Sequence, residues 1–295
     1  MNKRYMLPAD ADEVKRSELN HRMIQFLLAG ANYVGPVKNI ISVNSAKSDI
    51  LDMGTGGGNW AMDIADEFEG RVEVIGVDLA PVQPRDVPAN CTFELCDLDQ
   101  YDIPYPDGCF DVVHARCMHH GIKNYPRFLL EVSRMLCPGG IFIIIEPDTD
   151  PIINGEFWTD IWRSGRETRV PGWVALWRLY HICLQGKGID LAAPKRLRNM
   201  LQKTGGFAKV VTQQADAPIG FWPQDDTQLT IGQQSWMQND LLLPGTLPLL
   251  LSTSGQPREK VIDMVKAAQH DLYHSRDKLA TRFHVVHARK VYPKV

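Results

Sequence analysis

Apolar residues along this chain keep two rhythms, short dense runs and faces that recur every three or four positions. Ile50-Leu51-Asp52-Met53 is a short apolar run that collapses into Gly54-Thr55-Gly56-Gly57-Gly58, and the amphipathic stretch Trp60–Phe68 follows at once. This predicts a strand, a tight turn and a helix start, the place where an α/β fold lets a ligand touch backbone. Val72–Asp78 predicts a second buried strand and Cys91–Asp97 an alternating third. Cys109–Ala115 predicts a fourth, after the turn Pro106-Asp107-Gly108. Pro81, Pro84 and Pro88 forbid a long helix between the second and third. Phe128, Val132, Met135 and Leu136 line one helical face, and Cys137-Pro138-Gly139-Gly140 stops that helix. Ile141–Glu146 is apolar without alternation, as a parallel strand covered on both faces would be. Strands alternating with helices predict a doubly wound α/β sheet.

Before this block, Asp10 and Glu13 have capping-box spacing, and Leu19, Met23, Phe26 and Leu27 recur as one helical face. That helix is expected to pack over an edge of the sheet. After it, the rhythm loosens. Leu197, Met200 and Leu201 predict a helix ended by Gly205-Gly206, and Phe207–Thr212 a strand. Ala217–Gly255 is broken by prolines and glycines and predicts irregular chain. Val261, Val265, Ala268 and Leu272 mark another helix, and Phe283–Arg289 a last strand. The organisation expected is one domain over 1–295: a helical N-terminal cap at 1–45, a cofactor-binding half at 46–147, and an acceptor-site half at 148–295 with insertions near 148–194 and 217–255.

Composition narrows the function classes. Of 295 residues, 44% are hydrophobic and 23% charged, enough apolar material for a sizeable core. The net charge of −3, with no basic run, argues against a nucleic-acid binder. Met1–Asp10 shows no apolar leader core, and the longest apolar stretch, Leu241–Leu251, is cut by Pro244, Gly245 and Pro248. A cytoplasmic protein with no membrane partner is expected. The six cysteines lack paired metal spacing and read as reduced thiols.

The candidate chemistry begins with three acids, Asp52, Asp78 and Asp97, at or near the ends of three successive strands. Ligands bind outside those ends in open α/β sheets. Asp78 stands about twenty residues past the glycine loop, where an acid accepts hydrogen bonds from ribose hydroxyls. A plainer reading makes Asp78 and Asp97 turn or helix-capping acids. A nicotinamide-dependent dehydrogenase shares the loop and the ribose acid, so these two features alone leave the cofactor open.

Asp97-Leu98, then Phe110-Asp111-Val112-Val113-His114-Ala115-Arg116, then Leu136-Cys137-Pro138-Gly139-Gly140 resemble successive motifs of class I S-adenosylmethionine-dependent methyltransferases. The strings YMLPADADEVKRSELNH, VDLAPVQPRDVPANCTFELCD, FDVVHAR, GGFAKVVTQQADAPIGFWPQDD and IGQQ are similar to the fungal LaeA-like and UMTA-like methyltransferases, from about Tyr5 to Lys290. The resemblance implies a Rossmann-like seven-stranded sheet with its last strand antiparallel, a helical N-terminal cap and acceptor-site insertions. It implies S-adenosyl-L-methionine as cofactor and S-adenosyl-L-homocysteine as product. Gly54, Thr55 and Gly56 would pass the methionine tail, with Asp52 helping to hold it. Asp78 would take the ribose hydroxyls and Leu79 pack on adenine. Asp97 and the Leu98 amide would meet the adenine edge, and Ala115 and Arg116 would run close to the sulfonium.

Methyl transfer asks little of a protein beyond alignment and exclusion of water, unless the acceptor must lose a proton. His119 and His120 follow the fourth strand; either is a candidate base, or the pair only shapes the pocket. Glu146, Asp148 and Asp150 form no argument for a hard cation, so no metal is expected and loop solvation is the reading of these acids. Trp158 and Trp162, and Trp173 and Trp177, are spaced i, i+4. They read as a lid over an aromatic acceptor, with helix packing as the alternative. The expected reaction is O-methylation of a phenol or secondary metabolite, by a monomer or homodimer. The rivals are S- or N-methylation, a LaeA-like regulator of secondary metabolism, and the dehydrogenase.

Overall fold

A computed structural model describes residues 8–43, 46–100 and 102–292; residues 1–7, on which part of the leader argument rests, lie outside them. The chain forms two compact units, each assembled from three segments. One comprises Gly30–Glu146, Ala192–Gln214 and the chain from His284; the other comprises the described residues through Ala29, Pro147–Leu191 and Ala215–Phe283.

The first unit holds α2 (Val37–Val43), β1 (Ser48–Met53), α3 (Asn59–Glu67), β2 (Val72–Asp78), β3 (Cys91–Leu95), β4 (Phe110–Arg116), α4 (Tyr125–Met135) and most of β5 (Leu136–Pro147). It also holds α7 (Ala193–Lys203), the start of β8 (Phe207–Ile219) and the end of β9 (Leu279–Lys290). The strands lie in the order β3-β2-β1-β4-β5-β9, with β8 beside β9. The pairs from β3 to β5 are parallel and the last strand runs antiparallel, as expected, but two short strands at Ile152–Ile153 and Glu156–Phe157 bring the sheet to nine strands where seven were expected.

Strand parity builds two apolar layers here. Ile50, Val112, Ile141 and Ile143 pack with Trp60 and Ile64 of α3 and Ile41 of α2, while Leu51, Val113, Phe142 and Ile144 pack with Phe128, Leu129 and Val132 of α4 and Leu197 of α7. These side chains are essentially out of water, which is why β5 reads as an unalternating run. The prolines after Asp78 do what was expected of them: no helix separates β2 from β3. α4 ends at Met135, just before Cys137–Gly140 as expected, and those four residues lie inside β5, accommodated by a register shift between Phe110 and Val112 on β4.

The second unit is largely helical: α1 (Ala11–Leu27), α5 (Trp158–Arg163), α6 (Pro171–Gly186), α8 (Asp226–Gly245), α9 (Leu247–Thr253) and α10 (Arg258–His274). The two-residue strands β6 (Ile152–Ile153) and β7 (Glu156–Phe157) pair with each other, and β6 also pairs with the first residues of β9. Asp10 caps α1, accepting from the Glu13 amide at 3.0 Å, but the Glu13 carboxylate turns to Arg16 instead of completing the box. The buried side of α1 centres on Asn20, Met23 and Ile24, with Phe26 exposed, and α1 packs on α8. A Cβ on Gly172 would stand 2.5 Å from the Ala267 backbone, so α6 and α10 meet backbone to backbone. The irregular chain expected over 217–255 is instead mostly α8 and α9: Asp225 caps α8 through the Gln228 amide at 2.9 Å, and Pro244 falls only in its last turn.

Ile143 is fully buried among α2, α3 and the neighbouring strands. Ile143→Ala is expected to cost about 2–5 kcal/mol, read as a lowered urea midpoint; an unshifted midpoint would contradict this packing.

Candidate active site

Parity also decides which polar groups are buried at the strand ends. Asp52 follows Ile50 on the α3 face of β1, and its register partner on β4 is His114. The two are 2% and 1% exposed. His114 Nδ1–H donates to Asp52 Oδ1 at 2.7 Å, and Thr55 Oγ1 donates to Asp52 Oδ2 at 2.7 Å. The His114 ring stacks on Trp60, centroids 3.7 Å apart and 10° from parallel. Each oxygen of Asp52 is thus engaged by the chain itself, which ties the first turn of the glycine loop to β4.

The loop is then tied to β2. Gly54 and Thr55 donate their amides to the Val77 carbonyl at 2.8 and 3.0 Å. Asp78 Oδ2 accepts from the Gly56 amide at 2.9 Å and Oδ1 from the Ala80 amide at 3.0 Å. Burial pushes the Asp78 carboxyl up from the ordinary carboxylate range, and these amides pull it back. Gln83 closes the same loop, donating to the Gly56 carbonyl at 2.7 Å. Gly54 has φ +71°, and a Cβ there would lie 1.8 Å from the Met118 sulfur. Only glycine fits this conformation and this approach.

Leu79 is half-buried beyond Asp78. Asp97 accepts from the Asp99 amide at 3.1 Å, and Leu98 and Ala115 are buried in the α4-side core. An open recess of about 200 Å³ beside Leu98 is walled by Asp99, Ile122, Asn124, Arg127 and Phe128. Arg116 is half-buried, and desolvation draws its guanidinium below the ordinary value. Of the residues singled out in the sequence, Asp52, Thr55, Gly56 and Asp78 therefore share one hydrogen-bonded loop, whereas Leu98 and Ala115 serve the core.

Beyond β4 the chain turns sharply. Cys117 adopts φ +58°, donates its amide to the Ile145 carbonyl, and leads into a short 3₁₀ turn over His119–Gly121. His119 is 1% exposed and Glu146 fully buried. Glu146 Oε1 accepts from the Met118 amide at 2.9 Å and the Tyr125 hydroxyl at 2.7 Å, while Oε2 meets His119 Nδ1 at 3.0 Å. Burial and the Glu146 carboxylate push the Tyr125 phenol well above its ordinary range. His119 Nε2 is buried with no hydrogen-bond partner. His120 is half-buried, its ring centroid 4.0 Å from that of His119.

The solvated reading of Glu146, Asp148 and Asp150 is overturned, since all three are buried and hydrogen-bonded. The sequence reading also missed His114, Trp60, Met118 and Tyr125. The signal for His114 was its place opposite Asp52 in two adjacent strands of equal parity; for Glu146 it was an acid closing a fully apolar strand.

The tryptophans belong to the helical unit. Trp158, Trp173 and Trp177 lie in or against its core, and their indole N–H groups are buried without hydrogen-bond partners. Trp173 and Trp177 meet edge-on at 5.8 Å, while Trp162 is 58% exposed with Arg178 over its ring. His181 is not a free base: its Nε2–H donates to the Thr149 carbonyl at 2.8 Å. Among the described residues no cluster of three metal-ligating side chains occurs, all six cysteines are free thiols, and no helix is long and apolar enough to cross a membrane.

His114→Ala would leave the buried Asp52 carboxylate a donor short. A loss of about 3 kcal/mol or more is expected, measured by denaturant unfolding; a change under about 0.5 kcal/mol would contradict the role of this pair in holding the loop.

The methyltransferase domain family matches residues 50–140, which run from β1 into β5. The secondary metabolism regulator LAE1 of Cochliobolus heterostrophus is 28% identical over 242 residues, 78% of this chain and 70% of that protein. The secondary metabolism regulator laeA of Coprinopsis cinerea is 28% identical over 290 residues, 97% and 70% of the two chains. The methyltransferase pytC of Aspergillus terreus is 25% identical over 225 residues, 75% and 63%. Among solved structures, the Haemonchus contortus phosphoethanolamine N-methyltransferase 2 bound to S-adenosylhomocysteine aligns with a TM-score of 0.47 at 16% identity, over 94% of this chain and 58% of that one. The chain thus carries an S-adenosylmethionine-dependent methyltransferase domain over residues 50–140 and, across most of its length, is similar to the LaeA-like proteins.

Proposed function

We propose that the protein methylates an oxygen of a small molecule, a phenol or secondary metabolite, with His119 as the base. The observation that carries this reading is the buried, unpartnered Nε2 of His119, whose other nitrogen is held by Glu146. A buried polar atom without a partner in a folded protein calls for one, and a hydroxyl supplies it.

The residues present fit the cofactor. Gly54 and Gly56 put no side chains of their own on the loop that leaves β1, where the Met118 thioether packs against Gly54, and Asp78 keeps lone-pair capacity beyond its amide partners. We assign ribose binding to Asp78, the methionine tail to Gly54–Gly56, and the adenine ring to the neighbourhood of Leu79, Asp97 and Leu98. Asp52 supports the tail by holding the first turn of the loop through Thr55 and His114. S-adenosylmethionine supplies an activated methyl group on a sulfonium. No metal enters this mechanism. The chain's part is to align the acceptor, keep water away and hold a proton at His119 Nε2.

A panel of phenols, thiols and amines with isotopically labelled S-adenosylmethionine, read by mass spectrometry, tests the reaction class. Methylated phenols are expected; transfer confined to amines or thiols would overturn the oxygen assignment. The names of two relatives favour a second reading, regulation of secondary metabolism. Binding of S-adenosylhomocysteine with no small molecule methylated would favour it.

Asp78→Ala is expected to weaken S-adenosylhomocysteine binding at least about tenfold in calorimetry, because a charge-assisted bond is lost and Gly56 is released; unchanged affinity would refute the ribose assignment. His119→Gln is expected to slow transfer to a phenol by about 10²-fold or more while leaving S-adenosylhomocysteine affinity within twofold. Full turnover in this variant would remove the base.

A further inference from the structure

We infer that Glu146 is a positioning residue that fixes the tautomer of His119, so that Nε2 is the nitrogen left to take the acceptor's proton. This rests on His119 being the base.

Strand parity aims Glu146 from β5 toward α4, into the layer that holds Ile144, Phe128 and Leu129. A carboxylate there is withdrawn from water and must be met by donors. Three are supplied, and they divide unevenly. Oε1 takes the Met118 amide and the Tyr125 hydroxyl, and Oε2 takes His119. The Met118 amide belongs to the turn that carries His119, so one side chain sets both the backbone and the ring of that turn. Since a carboxylate oxygen only accepts, the proton of the neutral imidazole resides on Nδ1 and the lone pair on Nε2. Nε2 is the atom without a partner. As the acceptor oxygen bonds to the methyl carbon, its proton passes to Nε2, and the broken carbon–sulfur bond leaves its electron pair on sulfur.

The uneven division makes Glu146→Gln an informative variant. An amide has one oxygen, and two fixed donors, the Met118 N–H and the Tyr125 O–H, claim it. The amide NH₂ then faces His119 Nδ1 and donates to it, which moves the ring proton to Nε2. The shape of the site is kept and the base is lost.

The test is long-range ¹⁵N–¹H spectroscopy of the full-length, histidine-labelled protein saturated with S-adenosylhomocysteine, with the His119 signals assigned by their loss in His119→Gln. The wild type is expected to show the Nδ1–H tautomer, Glu146→Asp to keep it, and Glu146→Gln to show Nε2–H. Transfer to a phenol should fall by about 10²-fold or more in Glu146→Gln, with S-adenosylhomocysteine affinity within twofold of wild type. An Nε2–H tautomer in the wild type, or Nδ1–H retained in Glu146→Gln, overturns the inference. Should Glu146→Gln not fold, the wild-type tautomer alone decides it. Full turnover in His119→Gln defeats the base itself, a result separate from either tautomer outcome.

Discussion

A carboxylate removed from water must be surrounded by donors, and this chain places three such groups at the carboxyl ends of parallel strands of one sheet. Asp52, Asp78 and Glu146 sit on β1, β2 and β5, and none is more than 7% exposed. Each draws its donors from the segment that leaves a strand: Thr55 from the loop after β1, Ala80 from the chain after β2, Met118 from the turn after β4. The cost of burying charge is thereby converted into loop geometry. The glycine loop is shaped by two of these carboxylates and the histidine turn by the third.

The donors are shared in a way that links neighbouring strands. His114 on β4 answers Asp52 on β1, and Gly56, in the loop after β1, answers Asp78 on β2. Methyl transfer depends on alignment over tenths of an ångström. Fixed amides and a stacked imidazole hold such tolerances better than long side chains on a loop, because few rotamers remain to be populated.

Much of this was legible in the sequence. The strand–glycine–helix pattern, the prolines after Asp78 and the acids at strand ends rest on local rules that burial enforces, and they recur in the fold. The histidine pair was legible as a feature but not as a geometry: that His119 is buried on a carboxylate follows from Glu146 on β5, 27 residues further on. Glu146 was misjudged because an acid after an apolar run looks like the start of a loop, and only the position of α4 across the layer reveals Tyr125 beside it. The helix α8 was missed for a different reason. Apart from Gly232, its prolines and glycines bracket it or fall in its last turn, where they cost little, so breaker counts misled where spacing did not. The tryptophan spacings were right as helical faces, and that is where three of the four rings are spent.

The division into two units, each of three segments, has a consequence for how the chain reaches this state. Neither unit closes with nearby residues alone: one needs the chain through Phe283 and the other the stretch from His284 onward, although both begin within the first thirty residues. β8 and β9 each contribute residues to both. During synthesis β1–β5 emerge long before the strand that borders them, leaving the apolar edge of β5 unpaired while more than a hundred residues are added. Such delayed closure slows folding and exposes a strand edge to misassociation. Production of this protein should therefore respond to temperature and chaperone supply more than its stability when folded would suggest.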